Sequence, residues 1–308
     1  MSARLAVVHL VWGPLGPAPL AAFLDAYAAR DAGEEHELVV LFNGVQEREP
    51  LLELIAGVEH TLLELERPVL DLAAYFEAAR SLQHARLCFL NSYSEPLADG
   101  WLSMLDRALS GARMAAASGS WASHSDHVRY LLGLGGPYAG PYGARTAAAS
   151  AFQPHGEQQP QAPAPVQQAA SRWRKPPGEL FRAAALAMRQ LTGFPGFPNP
   201  HLRTNGFIVE RETMLGLKRG RIADKTDTYA LESGRRSLTR QLNSQVALVG
   251  RDGRAYTPSE WAHSNTFWQA AQENLLIADN QTRAYVEGDA EQRRMLAAHA
   301  WGDQARPS

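Results

Sequence analysis

Strand-like and helix-like segments alternate through the first 130 residues, and this alternation limits the possible folds more than any other feature of the chain. The run Leu5–Val11 is continuously apolar, as expected of a strand that is buried on both faces. Apolar residues at helical spacing follow in 17–30, and the alternation continues to a strand-like run at Leu87–Leu90. The pattern predicts an α/β fold with a mostly parallel central sheet and helices on both faces.

The composition of the chain changes after residue 130. Residues 134–171 are rich in Gly, Pro, Gln and Ala, with too little apolar surface to offset the entropy of ordering. We interpret this stretch as a flexible insertion in a single domain of residues 1–290, which a C-terminal tail at 291–308 follows. A linker between independent domains is the alternative. Beyond this stretch the pattern predicts helices near 175–191, 229–242 and 268–276, and a strand at 206–209.

Composition argues against several classes of function. Among 308 residues the formal net charge is −2, which gives no electrostatic basis for binding nucleic acid. No apolar run approaches the roughly 20 residues that span a bilayer, and no N-terminal segment resembles a signal peptide. Cys88 is the single cysteine and lies in a predicted strand, so we expect a buried, inert thiol. We expect a cytoplasmic protein, with a composition compatible with peripheral association at a membrane surface.

Polar residues follow three of the predicted strands at the point where each strand ends. Leu87–Leu90 runs directly into Asn91-Ser-Tyr-Ser-Glu-Pro, while Trp12 follows the first strand and Asn43 the second. Ligands of open α/β sheets bind beyond the carboxyl ends of the strands. Ordinary strand-to-helix turns, with Glu95-Pro96 opening the next helix, are the alternative. The interpretation as a site predicts four ligand-binding side chains: Trp12, Asn43, Asn91 and Tyr93.

Two further polar features are candidates for the same site. Asp71 stands at the predicted start of a helix, where it either caps the helix or bonds to a nucleotide base or ribose. Residues 199–206 crowd histidine, arginine, threonine and asparagine in front of an apolar strand, a mixture that a solvated loop rarely needs. This segment supplies three candidates for binding an acceptor or a diphosphate: His201, Arg203 and Asn205.

Two later residues are candidates for the chemistry itself. Glu232 lies beside cationic residues, and we interpret it as a general base at the start of a helix. A carboxylate that is stabilised there by the helix dipole is the structural alternative. His263 is either a ligand for the diphosphate or a structural histidine. No Gly-x-Gly-x-x-Gly, P-loop, Gly-x-Ser-x-Gly or His-Glu-x-x-His motif points to a different chemistry.

The order of these pieces resembles a GT-A glycosyltransferase of the family-2-like, bacterial surface-polysaccharide type. The resemblance covers about 1–130 and 172–285, and three parts of the chain carry it. The segment Phe89–Ser94 occupies the place of the family's metal-binding Asp-x-Asp. Residues 206–214 are similar to a strand-then-arginine element beside the acceptor site. Leu231-Glu232-Ser233 resembles the family's Glu-Asp pair, whose carboxylate acts as the base.

The resemblance implies a hexosyltransferase-like enzyme that moves a sugar from a nucleotide-sugar donor to a glycan or lipid-linked acceptor in polysaccharide biosynthesis. Asn43 and Asp71 would then lie near the nucleotide, and Glu232 would act as the base of an inverting reaction. The departing diphosphate would be stabilised by one of three cationic candidates, Arg203, His201 or His263.

The cofactor is left open by the same comparison. Asn91 and Tyr93 stand at the two aspartate positions of the Asp-x-Asp motif, so no metal ligand is predicted. Mn²⁺ or Mg²⁺ would be the ion if one is used. Two other interpretations stand beside the enzyme. One is a catalytically degenerate GT-A-like protein that binds a sugar nucleotide or glycan as part of an assembly; the other is an α/β enzyme unrelated to sugars.

Overall fold

The computed structural model describes residues 4–131 and 177–302, so the predicted insertion at 134–171 lies outside the described residues. The strands in those ranges are β1 (Leu5–Trp12), β2 (Glu37–Asn43), β3 (Thr61–Glu64), β4 (Arg86–Leu90), β5 (Glu95–Pro96), β6 (Met114–Ala116), β7 (Gly119–Ser120), β8 (His201–Leu202), β9 (Gly206–Glu210), β10 (Val246–Val249), β11 (Ala255–Tyr256) and β12 (Ile277–Ala278).

The helices in the same ranges are α1 (Ala18–Ala28), α2 (Glu49–Ile55), α3 (Asp71–Ser81), α4 (Trp101–Ala108), α5 (Asp126–Leu131), α6 (Pro177–Gly193), α7 (Arg211–Gly216), α8 (Lys225–Ser233), α9 (Leu238–Gln241), α10 (Asn280–Glu287) and α11 (Ala290–Trp301). Short 3-10 helices lie at Gly13–Leu15 and Trp261–His263.

The centre of the described structure is an eight-stranded sheet in the order β11–β10–β6–β9–β4–β1–β2–β3. β1 pairs in parallel with β2 and β4, β2 with β3, and β6 with β10. β9 runs antiparallel between β4 and β6, and β11 is an antiparallel edge strand. The predicted fold class, an α/β fold whose central sheet is mostly parallel with helices on both faces, is confirmed.

Apolar side chains on both faces of the sheet make two layers of core. In β1, Ala6 and Val8 belong to one layer, and Val7 and Val11 belong to the other, as the two-residue period of a strand requires. Helices α3, α7, α8, α9 and α11 contribute to the first layer. Helices α1, α2 and α4 contribute to the second. Burial on both faces explains why the strand sequences are continuous apolar runs.

The predicted helix at 229–242 is divided into two in the structure. α8 begins earlier, at Lys225, because Asp224 and Asp227 form a capping box that satisfies the first backbone N–H groups. The chain leaves the helix at Gly234, whose backbone is extended. Ser237 then caps α9, with its side chain accepting a hydrogen bond from the Arg240 N–H. Glu232 therefore lies near the end of a helix rather than at its start.

The predicted helix at 268–276 is wrong. Trp268, Ala270 and Gln272 have left-handed backbones, with φ of 52°, 43° and 55°, and the segment consists of turns. Side-chain hydrogen bonds replace those of a helix, since Gln272 accepts from the Trp268 N–H and donates to the Thr282 carbonyl. The large apolar residues of 268–276 are therefore buried in the core although the segment forms neither a helix nor a strand.

The predicted tail at 291–308 also requires correction. Through Trp301 this segment is α11, which begins after an Asp289 cap and packs on the core. Trp301 is fully buried, and its Nε1 donates to the Phe267 carbonyl at 2.7 Å. A helix that buries a tryptophan is part of the folded unit.

Two other predictions concern single features. Cys88 is buried, and burial raises the pKa of its thiol, as expected of an inert cysteine. Within the described ranges, no helix has the length and apolarity required to cross a bilayer.

His9 is an unusual residue of the core. It lies in the middle of β1, fully buried, with its ring stacked on Phe23 of α1 at 3.7 Å between centroids. Neither ring nitrogen has a hydrogen-bond partner, and burial lowers the pKa of His9 to about 3. The imidazole therefore stays neutral in the folded protein, and two polar nitrogens are buried unpaired, which costs free energy.

Replacing His9 should make the fold less sensitive to acid. As the pH falls below the ordinary value near 6.5, the unfolded chain binds a proton at His9 and the folded protein does not, so stability falls. From pH 7.5 to pH 5.5 this costs the wild type about 1.4 kcal/mol. We expect His9→Leu to lose correspondingly less free energy of unfolding in urea denaturation over this range. An equal loss in both proteins would contradict the burial of an unpaired imidazole.

Candidate active site

A cavity of about 510 Å³ opens at the carboxyl ends of the parallel strands. Trp12 and Asn43 are the last residues of β1 and β2, and Asn91 directly follows β4. Ligands of α/β sheets bind at this edge. The cavity wall contains nine of the side chains that the sequence singled out: Trp12, Asn43, Asp71, Asn91, Tyr93, His201, Arg203, Asn205 and Glu232.

The reversed strand β9 brings the 199–206 segment to this edge. Leu90, the last residue of β4, pairs with Gly206, the first residue of β9. Because β9 is antiparallel to β4, the residues that precede it lie where the residues that follow β4 lie. The Asn205 carbonyl accepts hydrogen bonds from the Asn91 N–H at 3.0 Å and from the Ser94 hydroxyl. The two polar clusters of the sequence thus form one wall.

Residues 91–94 form a turn that is closed by its own hydrogen bonds. The side-chain oxygen of Asn91 accepts from the Tyr93 N–H at 2.9 Å, and the Ser94 hydroxyl oxygen accepts from the Asn91 N–H at 3.0 Å. Ser92 accepts a hydrogen bond from the backbone N–H of Trp12 at 3.1 Å, which ties the turn to β1. Asn91 therefore shapes the turn as well as lining the cavity.

Asn43 acts on the loop that leads to α3. Its amide nitrogen donates to the Val69 carbonyl at 2.7 Å, and its amide oxygen accepts from the Val69 N–H at 3.0 Å. This paired contact fixes the chain just before Asp71. The structure thus gives Asn43 a positioning role at the cavity wall.

Asp71 is the first residue of α3, and Leu70 is the N-cap, so Asp71 is not the cap that the structural alternative proposed. One carboxylate oxygen of Asp71 accepts from the Leu72 N–H at 2.8 Å. Burial raises the pKa of Asp71, while this hydrogen bond and the charge of Lys225 act in the opposite direction. Asp71 thus places a hydrogen-bond acceptor in the cavity wall, together with Trp12 at the end of β1 and Asn43 at the end of β2.

Arg203 is a buried cation at the centre of the site. Its guanidinium donates to Asp279 at 2.7 Å, to Gln281 at 3.0 Å and to the Ser118 hydroxyl at 3.2 Å. The guanidinium carbon also lies 3.9 Å from the centre of the Phe267 ring. Asp279 is itself 1% exposed and caps α10. Arg203 therefore connects four segments that are distant in the sequence.

Three histidines in the cavity wall are held neutral. Burial lowers the pKa of His124 to about 3, and those of His201 and His299 to about 4. Nδ1 of His201 lies 2.8 Å from the Asn199 carbonyl, which can only accept, so this nitrogen carries the proton. In neutral His201 the other nitrogen, Nε2, is an acceptor. His201 cannot supply a positive charge near pH 7.

Glu232 has a strongly perturbed carboxyl. It is half-buried at the cavity wall, and its Oε1 accepts from the Thr204 N–H at 3.3 Å. Burial raises the pKa of Glu232 to about 7, and the charge of Asp71 contributes in the same direction against that of Arg203. The C-terminal end of α8 carries a negative partial charge, which also disfavours a carboxylate. Such a group exchanges a proton near neutral pH.

One face of α8 lines the cavity. Lys225, Thr228, Tyr229 and Glu232 are spaced three, four and seven residues from the first, which places them on one side of a helix. Tyr229 stacks on His124 with ring centroids 4.5 Å apart. The spacing of Asp224 and Asp227 is that of a helix cap and could have indicated this face. The helix was instead predicted to start later, near Tyr229.

The irregular segment between β11 and α10 supplies the remaining wall. Phe267 and Trp268 stack at 4.3 Å, and Trp268 donates its Nε1 hydrogen to the Gln281 carbonyl at 3.1 Å. His263 is exposed and does not line the cavity, so the structure does not bring it together with the other candidates. Several wall residues were not predicted as site residues: His124, Lys225, Tyr229, Trp268, Gln281 and His299.

The residues at the Asp-x-Asp position do not fit a divalent metal ion. Hard cations prefer carboxylate oxygens, and the turn offers an asparagine and a tyrosine instead. The nearby Glu95 is paired with Arg283 at 2.7 Å. Across residues 4–131 and 177–302, no group of three or more His, Cys, Asp or Glu side chains is arranged to hold a metal.

No protein-family model matches the chain, and no curated protein matches it. Among solved structures, it is similar to the mannosyltransferase PcManGT from Pyrobaculum calidifontis in complex with GDP-Man and Mn2+. This alignment has a TM-score of 0.31 and 13% identity, and covers 38% of this chain and 35% of that one.

Two further similar structures are glucosyl-3-phosphoglycerate synthase from Mycobacterium tuberculosis in complex with Mn2+, UDP and glucosyl-3-phosphoglycerate, and S. aureus TarS 1-349. The first has a TM-score of 0.31 and 14% identity, over 37% of this chain and 43% of that chain. The second has a TM-score of 0.29 and 13% identity, over 38% and 35%. The chain thus spans less than half the length of these structures.

Removing Arg203 should destabilise the protein strongly. Arg203→Met leaves the Asp279 carboxylate buried without its partner, which costs about 3 to 5 kcal/mol. Adding Asp279→Asn removes the orphaned charge and keeps a side chain that can cap α10, so the double variant should recover part of that loss. Urea denaturation of the wild type, the two single variants and the double variant measures this. A double variant whose loss equals the sum of the single losses would contradict the pairing.

Replacing Glu232 should stabilise the protein at alkaline pH. Between an ordinary glutamate pKa and about 7, the unfolded chain releases the proton while the folded protein retains it, so stability falls as the pH rises. Glu232→Gln removes this cost and should add about 3 kcal/mol at pH 8, and much less at pH 5. Urea denaturation at both values tests this. The exposed Glu212→Gln controls for the loss of a negative charge, and a destabilised Glu232→Gln at pH 8 would contradict the assignment.

Proposed function

We propose that the protein transfers a sugar from a nucleotide-sugar donor to a hydroxyl group of a glycan or lipid-linked acceptor, as in surface polysaccharide synthesis. Glu232 carries this proposal. It is a carboxyl with a pKa near 7 in a cavity at the strand ends where α/β proteins bind ligands. A base with this pKa takes a proton efficiently near neutral pH.

The donor would lie between the strand ends and α8. Asp71 offers a carboxylate oxygen to a ribose hydroxyl or a base N–H, and Trp12 offers an aromatic surface at the end of β1. The loop that Asn43 fixes holds Asp71 in place. The sugar would then face Glu232 and Trp268, which line the same cavity.

The reaction would be a single displacement with inversion at the anomeric carbon. Glu232 accepts the proton of the acceptor hydroxyl as its oxygen forms a bond to that carbon. The bond between the carbon and the diphosphate breaks, and the nucleoside diphosphate departs with the bonding electrons. Only one carboxylate is required to act as the base, which accords with Ser233 at the position that follows Glu232.

A second candidate function is binding of a sugar nucleotide without transfer. The replacement of both acidic residues of the metal-binding motif, by Asn91 and Tyr93, favours this possibility. Both candidates predict that a nucleotide sugar raises the melting temperature of the protein. Only turnover therefore distinguishes them.

Release of nucleoside diphosphate from UDP-, GDP- and dTDP-sugars, with water or added glycans as acceptor, tests the proposal. We expect the rate to rise with pH through a midpoint near 7 as Glu232 ionises. Glu232→Gln should lower turnover at least about 100-fold and keep donor affinity within about threefold, because the isosteric amide preserves the cavity. Glu212→Gln serves as the control. Undiminished turnover in Glu232→Gln would overturn the assignment of the base, and binding without turnover in the wild type would favour the second candidate.

A further inference from the structure

We infer that this cavity binds the diphosphate of its nucleotide without a divalent cation, and that the ammonium group of Lys225 supplies the positive charge instead. The inference rests on the proposed function, because the diphosphate belongs to the proposed donor. It follows from three observations: a closed turn at the expected metal position, cations that are committed elsewhere, and one lysine without a fixed partner.

Hydrogen bonds already engage oxygen atoms of the turn at 91–94. The Asn91 side-chain oxygen accepts from the Tyr93 N–H, and the Ser94 hydroxyl donates to the Asn205 carbonyl. Arg283 contacts both the Tyr93 carbonyl, at 3.3 Å, and the Glu95 carboxylate, at 2.7 Å. A guanidinium therefore neutralises the Glu95 carboxylate beside the turn. A metal ion at this place would have to displace an existing cation.

The other cationic candidates are unsuited to the diphosphate. Both terminal nitrogens of the Arg203 guanidinium already donate hydrogen bonds, and one of them forms an ion pair with Asp279. His201 is neutral and presents an acceptor nitrogen, and a phosphate oxygen needs a donor. His263 lies outside the cavity. The charge of a diphosphate must be met by another group.

Lys225 meets this requirement. It is the first residue of α8, lines the cavity and is exposed to solvent. Within the part of the chain that the structure describes, its ammonium makes no hydrogen bond or ion pair, and its charge is near enough to lower the pKa of Asp71. A lysine is a compact point charge on a flexible stem, suited to phosphate oxygens.

Side-chain hydrogen bonds hold the start of α8 in place, so the backbone of Lys225 has a defined position. Asp224 and Asp227 cap the helix, and both also bond to Arg189 of α6, at 3.0 Å and 2.8 Å. These two aspartates are engaged with Arg189 and with backbone N–H groups. Neither forms an ion pair with the ammonium of Lys225. The lysine is thus left available for an anion in the cavity.

Calorimetric titration of the full chain with UDP, GDP, CDP and dTDP, in EDTA and in excess Mn²⁺, tests the inference. We expect at least one nucleoside diphosphate to bind in EDTA, with an affinity within about threefold of that in Mn²⁺. Lys225→Gln should weaken this binding by about tenfold or more, the effect of removing one charge-assisted contact. Lys225→Arg should restore most of it, and Lys218→Gln, at an exposed position on the loop after α7, should leave it unchanged.

The possible failures are distinguishable. Binding that requires Mn²⁺ would overturn the inference and leave the proposed function standing. Binding in EDTA that Lys225→Gln does not weaken would overturn the role of Lys225. If no nucleoside diphosphate binds under either condition, the proposed function itself fails. Circular dichroism of each variant verifies that it is folded, and the exposed positions of Lys225 and Lys218 favour this result.

Discussion

The buried ion pair between Arg203 and Asp279 holds the walls of the cavity together. Arg203 belongs to the segment before β9, and Asp279 caps α10, so their contact joins chain segments that are 76 residues apart. The same guanidinium reaches Ser118 beyond β6 and lies over the Phe267 ring. Because an apolar pair of similar volume is often as stable, we interpret this buried pair as one that positions the cavity walls.

Around that contact, the site combines fixed polar groups with one group that can exchange a proton. The side chains of Asn43 and Asn91 form hydrogen bonds with the backbone, which gives the strand ends a defined shape. Glu232 is partly buried in the same cavity and near the charge of Asp71, so it keeps its proton until near neutral pH. The same burial that costs stability gives Glu232 the pKa of a useful base.

Local sequence patterns predicted the sheet well, because its strands are buried runs that polar residues terminate. Leu5–Val11 and Leu87–Leu90 required only hydrophobicity and strand period, and the ends of these runs indicated one edge of the sheet. The structure adds what is not local. The pairing of Leu90 with Gly206 brings two distant clusters together. The segment around Phe267 and Trp268 has neither helical nor strand periodicity in the structure. Its apolar residues alone had suggested a helix.

The start of α8 shows how a small error in an element hides a site. Asp224 and Asp227 have the spacing of a helix cap, yet the helix was predicted to begin at Tyr229. With the correct start, Lys225, Tyr229 and Glu232 occupy one face, and Glu232 moves from the beginning of a helix to its end. This reverses the effect of the helix dipole on its carboxyl, from lowering the pKa to raising it.

A crystal structure of the protein with a bound nucleoside diphosphate would show whether this cavity is a nucleotide-sugar site with Glu232 as its base. We expect the nucleoside to lie against Asp71 and Trp12, the diphosphate to lie beside Lys225, and the terminal phosphate to be open toward Glu232. A nucleotide bound outside the cavity, or one whose diphosphate lies on the far side from Glu232, would contradict it.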